Sequence, residues 1–186
     1  MKLTLTIAAL LLSAPFLSYA DNGCSLNAGG ANTNNIFSGP TTCSKATLSK
    51  LSVDGPLTIK KSTIATIMVK GPVTSTDSTI TNLTANGTLN LNNTTIEKLT
   101  LKGPLEASDS SIFNINVNGP LTFTDSRVGN VIVTDSTASN PGKVYLKGYT
   151  TVSGNISFKG GNGIVYQEKG AKIMGEVTGG KIETEK

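Results

Sequence analysis

The 186-residue chain contains no histidine and no tryptophan, and Arg127 is its single arginine. Without histidine there can be no Ser-His-Asp triad and no His-ligated metal. The two cysteines, Cys24 and Cys43, form no CxxC pair, so a thiolate zinc site is not expected either. No G-x-S-x-G elbow and no phosphate-binding loop occurs, which leaves no signature of a nucleophilic hydrolase or of a nucleotide cofactor. The expectation is therefore no metal and no cofactor. Aromatic residues make up only 5% of the chain, and its formal charge of +4 rests on scattered lysines. Nucleic-acid surfaces draw on arginine forks and stacking aromatics, so that class of partner is not expected.

Long apolar runs are also scarce. The exception is "LTIAALLLSAPFL", which follows Lys2 and precedes "SYA". A positive start, a short apolar run and small residues at the end read as a secretory signal over residues 1–20, cleaved between Ala20 and Asp21. The run is short for a bilayer, so no transmembrane anchor is expected after cleavage. This places the mature chain outside the bacterial cytoplasm, secreted or periplasmic. In such an oxidising compartment Cys24 and Cys43 are expected to form a disulfide.

What the chain has instead is a repeat. Gly39, Gly55, Gly71, Gly87, Gly103 and Gly119 follow one another at intervals of sixteen. Proline follows five of these six glycines, with Thr88 as the exception. Two residues after the glycine stand Thr41, Leu57, Val73, Leu89, Leu105 and Leu121. Nine after it stand Leu48, Ile64, Ile80, Ile96, Ile112 and Val128. Apolar positions recur again at twelve and fourteen. Agreement over this many columns marks a repeat architecture. Inside each copy apolar residues alternate, as in "LTI" (57–59) and "LTL" (99–101), which is the strand period. Gly-Pro marks one corner, because proline cannot donate to a sheet ladder. Motifs such as "TDST" (76–79) and "SDSS" (108–111) mark a second.

A unit of sixteen residues cannot enclose a core alone, but stacked coils can. The expected fold is all-β: a single-stranded parallel β-solenoid, right-handed by the general crossover preference. Residues 21–38 read as an N-terminal cap and 39–134 as six coils. Residues 135–186 read as a loop, further and tighter coils and a C-terminal cap. Cys43 falls in an inward column with Ile59, Leu91, Ala107 and Phe123, so a bond to Cys24 would staple the cap to the core.

The short glycine-spaced coils, with "SGNISF" (153–158) and "AKIMGEVTGGKI" (171–182) near the end, resemble the bactofilins, bacterial polymer-forming proteins. The resemblance implies a compact right-handed β-helix that joins end to end without nucleotide. A signal peptide, a disulfide and a strictly regular period depart from that family.

Three functions remain open. The first is a structural or surface-binding rod without catalysis, whose partner the sequence does not name; a cell-envelope glycan and self-association both fit. The second is a carbohydrate-active β-helix enzyme. Its catalytic candidates are Asp109 and Asp125, which share a column with Asp77 and Asn93 and should lie one coil apart, about 4.8 Å. Calcium between these acids is a variant of this idea. The third is an ice- or glycan-binding face carrying Thr74/Thr76 and Thr122/Thr124, interrupted by Lys60 and Glu106.

Overall fold

The computed structural model describes residues 23–26, 35–134, 136 and 139–184. Residues 1–20, where a signal is expected, and much of the expected cap lie outside the described residues. The described chain is all strand and turn, stacked into a parallel β-solenoid of about nine turns.

The coil from Gly55 to Lys70 explains the rest. Gly55 and Pro56 turn the chain into a short strand, Leu57–Lys60, with Leu57 and Ile59 buried. Lys61, at φ 50°, and Ser62 make the next corner. The strand Thr63–Lys70 then buries Ile64, Ile67 and Val69. Ala65 and Thr66 both turn away from the core, so the alternation slips by one and the strand bends there. That bend is a third corner, where sequence patterning indicates two, and it makes the coil three-sided.

The short strands form one sheet and the bent long strands another, each paired in parallel with its equivalent one coil away. Register places like on like. Ile64, Ile80, Ile96, Ile112 and Val128 form a single interior column. Leu57, Val73, Leu89, Leu105 and Leu121 form another. These columns belong to one continuous core. Because apolar side chains sit only on the inner face of each strand, a coil is stable only when others cover it.

The glycine column is a backbone requirement. At Gly87 the φ is +150°, and an added Cβ would stand 2.6 Å from the carbonyl carbon and oxygen of Gly71. The obstacle is the backbone of the preceding coil. Glycines therefore stack directly on one another, and a side chain anywhere in the stack's interior would force adjacent coils apart.

After Val133 the coils resume, but they are longer, not tighter as the glycine spacing suggests. Leu121 pairs with Val144 and Val144 with Val165, so these coils take 23 and 21 residues (121 to 144 and 144 to 165). The extra residues fall at corners, leaving the strands in register. Ser153–Asn155, for instance, widens the third corner between Val152, opposite Val128, and Ile156, opposite Val131.

The two ends differ. At the N-terminal end the strand Gly23–Leu26 lies antiparallel against Thr41–Ser44, the sole antiparallel pairing among the described strands. Cys24 stands directly opposite Cys43 and is bonded to it, and Cys43 is fully buried in the inward column. At the C-terminal end the strand Gly180–Thr184 is the last member of the short-strand sheet.

Candidate functional site

The residue six places after each coil glycine sits in the left-handed region. Lys45, Lys61, Asp77, Asn93, Asp109 and Asp125 all have φ between 46° and 52°. Asp and Asn tolerate this conformation better than most residues, which accounts for their use here. The column runs along an exposed ridge; Asp77, Asn93, Asp109 and Asp125 all face solvent. Its side chains bond along the rod. The Asn93 amide donates to Asp77 Oδ1 at 2.7 Å, and the Tyr149 N–H donates to Asp125 Oδ1 at 2.9 Å. Asp109 and Asp125 are thus brought into one column on consecutive coils, as their spacing requires. Asp125 holds the backbone of the following coil, and the ridge is convex. Among the described residues no three Asp, Glu, His or Cys side chains gather in a way that could hold a metal ion.

Behind this ridge runs a feature that sequence patterning does not single out. Ser62, Ser78, Thr94, Ser110, Ser126 and Thr150, one residue further along the second to sixth coils and at the equivalent place in the longer one, are all buried. Each hydroxyl donates to a carbonyl two or three residues earlier in its own coil, at 2.7 to 3.0 Å. Most also accept an N–H from the coil before. The Ala46 N–H reaches Ser62 Oγ at 3.0 Å, the Thr94 N–H reaches Ser110 Oγ at 3.1 Å, and the Ser110 N–H reaches Ser126 Oγ at 3.1 Å. The left-handed turn swings the following amide away from the sheet ladder, and for Ala46, Ser62, Thr94, Ser110 and Ser126 the hydroxyl of the next coil receives it. A buried amide without such a partner would cost about 1–3 kcal/mol. The first coil carries Ala46 at this position, where no earlier coil among the described residues presents an N–H.

The threonine candidates lie on the outer face of the short-strand sheet. Thr58, Thr74, Asn90, Glu106 and Thr122 are in register along it. Glu106 interrupts this row, and Lys60 stands in the neighbouring row with Thr76 and Thr124. Toward the C-terminal end the same column continues as Tyr145 and Tyr166, whose rings stack at 4.8 Å with 11° between planes. The rings cover each other, so they stand edge-on to solvent instead of offering an open platform. The adjoining wall, formed by the second half of the long strands, carries a groove of about 490 Å³ lined by Ile36, Met68, Thr84 and Thr100, with Lys70 and Lys102 beside them. Beyond Tyr166, the Lys181 ammonium pairs with Glu183 at 2.6 Å, and this contact raises the lysine above its ordinary pKa.

The chain matches no family model, no curated protein and no solved structure. The reading of function therefore rests on the coil, the ridge and the two ends.

Proposed function

We propose that this chain is a secreted or periplasmic structural or surface-binding β-solenoid that works without catalysis. The observation that carries this reading is the setting of its best acids. Asp109 and Asp125 stand on a solvent-facing convex ridge, in a backbone conformation that itself favours Asp, and Asp125 is occupied with the Tyr149 N–H. Glycosidase chemistry needs two carboxyl groups on either side of a bound sugar, and a convex ridge gives the sugar no walls. The flat polar faces are the surfaces available to a partner such as an envelope glycan. The Cys24–Cys43 bond supports a location outside the cytoplasm. The bactofilin-like coil grammar fits a scaffold role.

The second reading, a lyase or hydrolase acting through Asp109 and Asp125, is favoured by their placement one coil apart. Incubation of the mature protein with acidic polysaccharides, peptidoglycan and lipopolysaccharide separates the two. The expected result is retention on one of these surfaces without release of reducing or unsaturated ends. Product release that disappears in Asp109→Asn would overturn the non-catalytic reading.

A further inference from the structure

The two ends of a parallel solenoid are sheet edges, and an uncovered edge is a template for another strand. Here the ends are treated differently. The N-terminal edge of the short-strand sheet, Thr41–Ser44, is already paired with Gly23–Leu26, and the Cys24–Cys43 bond holds that strand in place. A second copy cannot stack head to tail onto that edge while the bond is intact. At the C-terminal end Gly180–Thr184 is the outermost strand. Ile182 lies in the inward column, opposite the fully buried Val165, yet it is 47% exposed. Ile173 and Val177 on the facing sheet, in register with Val152 and Ile156, are likewise only half-buried. Among the described residues this apolar layer is left partly uncovered.

The edge strand is self-complementary in one register. Antiparallel pairing of two copies about Ile182 puts Lys181 of each copy directly opposite Glu183 of the other. Both residues are on the outer face, where opposite charges across a pair are stabilising. The same register sets Ile182 against its symmetry mate on the inner face and joins the two cores. Parallel pairing would instead set Lys181 against lysine and Glu183 against glutamate. We propose that the chain forms a closed twofold dimer through its C-terminal end, with Gly180–Thr184 of two copies paired antiparallel about Ile182. Such an interface is isologous, so it stops at two copies. The proposal is independent of what the outer faces bind.

Sedimentation or light scattering on the mature, unreduced chain across a concentration series tests this. The expected species is a dimer. Lys181→Glu places like charges opposite each other at two sites and should weaken association about tenfold. Glu183→Lys should do the same, and an equimolar mixture of the two single variants should restore the dimer. That rescue requires the two residues to face each other across the twofold. Ile182→Cys, mildly oxidised, should give a covalent dimer on a non-reducing gel. Ile182→Asp should be monomeric with its coils intact by circular dichroism. A monomer at every concentration, open-ended polymers, or a dimer indifferent to both charge variants would each overturn the proposal.

Discussion

Replacing Ser110 by alanine removes one hydroxyl from the interior column and tests whether that column is structural. The Ser110 Oγ accepts the Thr94 N–H at 3.1 Å and donates to the Ser108 carbonyl at 2.7 Å. The carbonyl keeps a partner, because the Asn93 N–H also reaches it at 3.1 Å. The Thr94 amide does not, and Thr94 is 1% exposed, so water cannot take over. The loss is therefore that of one buried unsatisfied donor, about 1–3 kcal/mol. For a chain of this size each kcal/mol corresponds to about 2–4 °C in melting temperature. Ser110→Ala should melt roughly 2–12 °C lower, by that conversion, and amide exchange at Thr94 should accelerate more than at any other residue of its coil. Ser110→Thr should be close to neutral, since Thr94 and Thr150 occupy equivalent places in the column. If Ser110→Ala melts like the parent and the Thr94 amide stays protected, the hydroxyl is not what satisfies that amide and the ladder argument fails.

Three further outcomes are expected. Gly87→Val combines a φ that side chains rarely adopt with contact against the Gly71 carbonyl; it should cost about 2 kcal/mol or more, read as a lowered denaturation midpoint, whereas Gly39→Ala, with open space around it, should cost less. Phe123→Ala empties a fully buried site and should cost about 3–5 kcal/mol, read in the same denaturation experiment. Reduction of Cys24–Cys43, a bond spanning 19 residues, should remove about 3 kcal/mol in the chain-entropy model, and hydrogen exchange should rise at Thr41–Ser44 before it rises in the coils beyond Gly55.

The stacking of coils was legible from the sequence because parallel in-register pairing forces like residues into columns. Six glycines at one interval, with apolar columns in phase, have few other solutions. Cys43 was legible as inward for the same reason, and its bond to Cys24 is the pairing expected of two cysteines in an oxidising compartment. The third corner was written less openly. Its signal is the step of three between the apolar column nine residues after the glycine and the one twelve after, which breaks strict alternation at Ala65–Thr66. The hydroxyl column was hidden by composition: in a chain so rich in serine and threonine, Ser110 looks like its half-buried neighbours Ser108 and Ser111, and only burial separates them. In the tail, glycine spacing misled. Gly148, Gly154 and Gly160 mark successive corners within a coil, so counting them shortens a coil that strand register shows to be longer. Asp109 and Asp125 occupy the same corner of consecutive coils, and their outward, left-handed setting depends on the corner geometry.

The placement of the extra residues at corners gives the molecule a reading frame of its own. Duplicating or deleting one whole repeat in the gene would change the length of the rod and leave each interior position facing a chemically equivalent neighbour. Adding residues at a corner, as between Val133 and Lys143, leaves both flanking strands in phase. Losing a single residue inside a strand would instead turn the rest of that strand inside out. Inherited variation in such a chain should therefore arrive as whole repeats or as corner insertions, and a foreign peptide grafted at a corner should be carried without loss of the fold.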